Sequence, residues 1–115
     1  MINFDTYRTL YAEAREYANI DMYIMERGWQ DWMDGMDADQ ITDLLRDIHA
    51  ISNGGFRAAA KIEDLKLTAF CKRYCLPYST AQKWVGDIAA PAEYLVLHLG
   101  YSVIANKYTK KPAED

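Results

Sequence analysis

Residues that carry catalytic and metal chemistry are scarce in this chain. Its 115 residues include two histidines, His49 and His98, and two cysteines, Cys71 and Cys75. The cysteines lie one helical turn apart with no second close pair of ligands, so the paired spacing of a zinc site is missing. Joining them would strain a helix, so reduced thiols in a reducing compartment fit better. The two histidines fall within helical patterns and read as packing or surface residues. No glycine-rich phosphate loop occurs, and the carboxylates are spaced as on solvated helix faces. These gaps exclude the usual enzyme classes: no catalytic set, no metal and no cofactor is expected. Apolar runs are too short to span a bilayer. The start, Met1-Ile2-Asn3-Phe4-Asp5, lacks the basic and apolar regions of a signal peptide, so a cytoplasmic protein with no membrane partner is expected. There is no internal repeat and no strand-like alternation of useful length.

What is present is apolar mass and uneven charge. Half the residues are apolar and 13% are aromatic, enough for the core of one domain with or without a helical extension. The net charge of −4 divides unequally. Residues 1–50 hold eleven acids and four arginines, a balance of −7; residues 51–115 hold six acids and nine Lys or Arg, a balance of +3. A nucleic-acid surface would therefore lie in the back half. Asp31, Asp34, Asp37, Asp39, Asp43 and Asp47 read first as a solvated face. A sharper reading makes them an acidic face that docks a basic protein partner.

Hydrophobic spacing predicts helices throughout. Tyr7, Leu10, Tyr11, Ala14, Tyr17 and Ala18 recur at steps of three and four, which predicts an amphipathic helix from about Asp5 to Ala18. A second runs from about Ile20 to Arg27, with Tyr23 and Ile24 inward and Met25 optionally so, and Gly28 breaks it. Trp29 and Trp32 fit the core or a contact surface; their large area favours the core. Asp37 and Gln40 form a capping box before Ile41, Leu44, Leu45, Ile48 and Ile51. Ser52-Asn53-Gly54-Gly55 ends that helix and makes the joint of the molecule. Phe56 to Ile62 is a short alanine-rich helix. Pro91 opens a last helix reaching about Tyr108. Tyr94, Leu97, Tyr101, Ile104 and Tyr108 take one face of it, and Leu95, Leu99 and Val103 a neighbouring one. A band that wide packs on more than one surface: the amino-terminal helices or a second copy.

The segment Leu67–Gly86 carries the clearest functional signal. Phe70 and Tyr74 share a face of one short helix; Ala81 and Trp84 share a face of the next. Cys71 is small where the helices cross. Pro77 disfavours helix at Leu76, so the first helix stops before it. Leu76 then plugs the gap between the two. Cys75 takes the turn position that suits glycine, at a cost of about 1 kcal/mol.

On Leu76, Pro77, Thr80, Trp84, Gly86, Pro91, Tyr94 and Leu95 this segment resembles the lambda-repressor-like helix-turn-helix class, and more narrowly the small helix-turn-helix proteins of phages and mobile elements. The upstream run Gly28-Trp29-Gln30-Asp31-Trp32 is similar to the same group. The resemblance covers residues 54 to 108 and implies double-stranded DNA binding and gene regulation. Small phage-borne proteins of this fold sometimes bind host proteins instead, so the alternative it implies is an anti-CRISPR-like inhibitor of a host defence nuclease.

In the DNA reading the recognition helix spans about 78–85. Tyr78, Ser79, Gln82 and Lys83 face the groove: Gln82 suits adenine, and Lys83 suits guanine or phosphate. Ser79 and Thr80 suit phosphate. Lys66, Lys72 and Arg73 meet the flanking backbone. A competing use is a Ser79–Gln82 capping box, which would withdraw Gln82 from a base. Lys83 is the only cation of that helix. In the alternative reading Asp31, Asp34, Asp39, Asp43 and Asp47 meet the protein partner. The expected fold is all-α, a helical bundle with a carboxy-terminal helix-turn-helix and an acidic helical amino-terminal part. It divides as 1–53, the acidic region offering a partner or dimer surface; 54–108, the helix-turn-helix domain; and 109–115, a flexible tail. A homodimer on paired half-sites is expected, since one such unit offers little interface.

Overall fold

A computed structural model describes residues 2–109. Of the expected tail, 109–115, all but Thr109 lies outside the described residues. Those residues form seven α-helices and one 3-10 turn, with no strand among them: α1 (Phe4–Ala14), α2 (Ile20–Met25), the 3-10 turn (Asp31–Met33), α3 (Ala38–Gly54), α4 (Phe56–Glu63), α5 (Leu67–Tyr74), α6 (Tyr78–Val85) and α7 (Glu93–Tyr108). The chain is all-helical, as its spacing predicts.

α1 opens on Asn3, whose side chain accepts a hydrogen bond from the Thr6 N–H at 2.8 Å. It buries Tyr7, Leu10, Tyr11 and Ala14. It stops at Ala14, not Ala18, because Asn19 must be extended to cap α2, accepting from Asp21 N at 2.8 Å and Met22 N at 3.2 Å. α3 begins with the predicted capping box: Asp37 accepts from Gln40 N at 2.8 Å, and Gln40 accepts from Asp37 N at 3.4 Å. Its buried face is Ile41, Leu44, Leu45, Ile48 and Ile51, with Ser52.

The joint is narrower than expected. Ser52 and Asn53 remain helical and bind α1: the Ser52 hydroxyl donates to the Tyr11 carbonyl at 2.9 Å, and Asn53 Nδ2 to that of Ala14 at 3.1 Å. The break falls on Gly55 alone, at φ 72°, a left-handed value open to glycine. α7 begins at Glu93, two residues after Pro91. Its buried strip is Val96, Leu99, Gly100, Val103 and Ile104, between the two predicted faces. Gly100 sets how closely it packs. A Cβ there would lie 2.5 Å from the Tyr7 hydroxyl and 2.8 Å from Ile51 Cγ2, so α1, α3 and α7 meet at this point. Buried residues of both halves, from Tyr7 and Leu10 through Ile48 and Phe70 to Val103, form one core.

The front half departs from expectation at its aromatic cluster. Trp29 is 66% exposed and Met25 76% exposed, whereas Met33 is buried and Trp32 and Met36 are half-buried. Gly28, at φ 62°, redirects the chain after α2. Trp29 Nε1 then donates to Asp34 Oδ1 at 2.9 Å, which satisfies the indole outside the core.

Candidate nucleic-acid interface

α5 and α6 are two eight-residue helices joined by Cys75, Leu76 and Pro77. α5 buries Phe70 and Cys71, and α6 buries Ala81. Cys75 adopts the left-handed conformation, φ 57° and ψ 43°, and Leu76 N–H donates to the Cys71 carbonyl at 2.9 Å. The turn has the predicted geometry with cysteine where glycine is easiest. Burial pushes the Cys71 thiol up, while Cys75 is exposed; both are free.

Three rings, Phe56, Phe70 and Tyr74, lie beneath α6 and meet its Trp84. Phe56 packs edge-on against Phe70 at 5.5 Å and Trp84 at 5.0 Å, and Phe70 meets Tyr74 at 4.8 Å. A polar knot secures α5. Glu63, whose side chain is 7% exposed, accepts from the Tyr74 hydroxyl at 2.5 Å and from Asn106 Nδ2 at 2.8 Å. Burial and the Glu63 carboxylate push the Tyr74 phenol up to about 12. Arg57, on α4, closes the other end of α6, donating to the Val85 carbonyl and lying 3.3 Å from the Asp87 carboxylate.

The outer side of α6 exposes Tyr78, Ser79, Gln82 and Lys83, and Thr80 is half-buried. Pro77 is the N-cap and makes no side-chain bond, so Ser79 already lies inside the helix and cannot cap it. The competing capping box is thereby ruled out, and the Gln82 amide is left outward. Lys66 and Lys72 are exposed. Arg73 departs from the expected flanking position. Its Nη2 donates to Asn106 Oδ1 at 2.8 Å and its Nε lies 3.7 Å from Glu63, so it serves the knot. Glu63, Asn106 and Arg57 were not legible as positioning residues, because each lies in a helix with no motif around it.

The acidic residues also separate. Asp31, Asp34, Asp39 and Asp43 are exposed. Asp47 is not part of that face. Its Oδ2 accepts from Lys107 Nζ at 2.8 Å and from the Tyr108 hydroxyl at 2.6 Å, which binds α3 to the end of α7. His49 lies 2.6 Å from the Tyr17 carbonyl, and His98 stacks on Phe4 at 5.0 Å. Among the described residues no three His, Cys, Asp or Glu side chains are grouped to hold a metal ion. No described helix is long and apolar enough to cross a membrane. Comparison with known protein families, with curated proteins and with solved structures returned no match. Geometry and chemistry alone therefore bear on function.

Proposed function

We propose that the protein binds double-stranded DNA through α6 as a homodimer and acts in transcriptional control of a phage or other mobile element, in the cytoplasm. The observation that carries this is the division of α6. Ala81 and Trp84 anchor it on a ring cluster, while Tyr78, Ser79, Gln82 and Lys83 are presented together on its outer side. A helix held on one side with an amide and an ammonium on the other suits base-edge readout in the major groove. The second copy has a surface available: Tyr94 is 70% exposed beside a groove lined by Tyr74, Leu76, Leu95 and His98.

The test is selection from a pool of random duplex DNA, at about 50 and 200 mM salt, with sequencing of the bound fraction. A two-fold symmetric site should be enriched and then lost in a Gln82→Ala, Lys83→Ala variant. With Lys66, Lys72 and Lys83 as the cations assigned to the DNA face, the slope of log affinity on log salt should be roughly −3 per protomer. No enrichment, with weak binding of every sequence alike, would overturn the reading. A second reading, inhibition of a host defence nuclease, is favoured by the exposure of Asp31, Asp34, Asp39 and Asp43. Reversing Asp34, Asp39 and Asp43 to Lys should abolish that activity and spare DNA binding.

A further inference from the structure

At the opposite end of the charge distribution, between α2 and α3, lies an apolar groove of about 300 Å³ lined by Ile24, Met25, Trp29, Met33, Ile41 and Leu45. Its two most exposed members are Met25 and Trp29. Large exposed apolar residues set side by side are what an interaction surface presents. Tryptophan is among the residues that dominate binding energy, and methionine adapts to the shape of what it meets. Trp29 is also held ready, its indole N–H fixed on Asp34 at 2.9 Å, so little rotamer freedom remains to be lost on contact.

The charges around the groove decide what covers it. Asp34 touches Trp29, Asp31 precedes Trp32 and Asp39 follows the lining residue Ala38; all three are exposed, and the nearest exposed cation, Arg46 on α3, lies 3.8 Å from Asp21 of α2. The one cation in the lining, Arg27, is 8% exposed, paired with Glu13 and set 4.7 Å over the Tyr23 ring. It offers nothing to offset the rim. A second copy placed symmetrically on this groove would bring the acidic rim against itself. An anionic lipid surface would be repelled for the same reason.

We propose that this groove receives a cationic amphipathic helix from another protein, its apolar side chains over Met25 and Trp29 and its Lys or Arg on the aspartates. Apolar anchors at i, i+3, i+4 and i+7 on a helix match a groove that runs along α3. The site is separate from the α6 face and does not depend on the DNA reading.

The test uses the full chain and a fluorescent Lys/Leu peptide with leucine at i, i+3, i+4 and i+7. A peptide of the same composition without an apolar face, and a Glu/Leu peptide with one, serve as controls. Binding of the first peptide with a Kd on the order of 10 μM is expected, and none of the others. Trp29→Ser with Met25→Ser should weaken it about tenfold or more. Asp31→Asn with Asp39→Asn should weaken it about threefold and flatten its salt dependence. Gln82→Ala with Lys83→Ala should leave it unchanged, which separates this result from the fate of the DNA reading. The proposal is overturned by no binding at about 100 μM, by binding that both groove variants retain, or by equal binding of the Glu/Leu peptide. Self-association lost in Trp29→Ser would assign the groove to a second copy, and capture on anionic vesicles would assign it to a membrane. Either result also overturns the proposal.

Discussion

Beneath α6, Phe56, Phe70 and Tyr74 interlock with Trp84 of that helix, ring centroids 4.8 to 5.5 Å apart, whereas between α2 and α3 Trp29 stands 66% exposed beside a still more exposed methionine. The two regions use the same kind of residue in opposite senses. Beneath α6 the rings are buried or half-buried and hold a polar helix face in place. In the front half the apolar surface itself is presented, and the polar groups serve to orient it. Burial of an aromatic residue therefore says which face of this molecule is scaffold, and its exposure says which face the core does not use. Mutations separate the two cases.

The largest effect should come from Phe70→Ala. The side chain is fully buried between Phe56 and Tyr74, and its loss should cost about 3–5 kcal/mol. That is a large part of the roughly 5–15 kcal/mol that holds a domain of this kind. Urea denaturation followed by circular dichroism should show the midpoint collapse. A loss below about 1 kcal/mol would mean that the ring cluster does not anchor α6.

Gly100→Ala comes next, at about 1–3 kcal/mol, because the new methyl would overlap the Tyr7 hydroxyl and Ile51. The Tyr7 hydroxyl is buried with no hydrogen-bond partner among the described residues, so Tyr7→Phe alone should be neutral or slightly stabilising. In the Tyr7→Phe background the cost of Gly100→Ala should fall. Additive costs in this double-mutant cycle would place the clash on Ile51 instead.

Alkaline pH tests the buried phenols together. Burial raises Tyr7, Tyr23, Tyr74 and Tyr108, Tyr74 to about 12 against an ordinary value of 10. A group raised in the folded state contributes stability that is fully present below its unfolded value and lost as pH rises toward its folded one. Stability should hold to about pH 10 and fall between about pH 10 and 12. Tyr74→Phe should make that fall shallower. An unchanged slope would show that Tyr74 ionises as easily folded as unfolded.

How far the sequence reached follows from what kind of signal each feature leaves. The start and the buried face of α3 are legible because its apolar period and its Asp37–Gln40 box are local, whereas its end is not, since Ser52 and Asn53 stay helical through bonds to α1. α6 is legible because Pro77 stops the helix before it and Ala81 and Trp84 mark its inward face. The buried strip of α7 was misplaced, since that helix is apolar nearly all round and only Gly100, through its neighbours Tyr7 and Ile51, selects the inward line. Trp29 was misread because area alone favours burial, while the Gly28 turn and the Asp34 bond that hold it outside are tertiary facts. Asp47 looks like its neighbours in sequence; only the return of α7 makes it a partner for Lys107 and Tyr108. Candidate site residues on one short helix could be read from the chain. Glu63, Asn106 and Arg57, which position that helix from α4 and α7, could not.

Cys75→Gly should be a smaller change of opposite sign. Cysteine at φ 57° bears the steric cost of the left-handed region, about 1–2 kcal/mol, which glycine does not. Part of the gain is returned through the greater freedom of glycine in the unfolded chain. A net gain of about 0.5–1 kcal/mol is expected, read as a higher urea midpoint with unchanged cooperativity. A loss of stability would mean that the Cys75 side chain makes a contact worth more than its strain.

Trp29→Ala should have the smallest effect on stability, within about 0.5 kcal/mol, although the side chain is larger than Phe70. Most of the indole already meets water in the folded state, so its removal gives up little buried area. The bond to Asp34 is lost, but the freed carboxylate is exposed and is solvated in its place. The contrast with Phe70→Ala is the measurement that decides whether these two aromatic regions differ in kind. A cost for Trp29→Ala near that of Phe70→Ala would make Trp29 a structural residue and remove the reason to see a binding surface there. Near-neutrality, with the cationic peptide no longer bound, would leave recognition as the only use this tryptophan has.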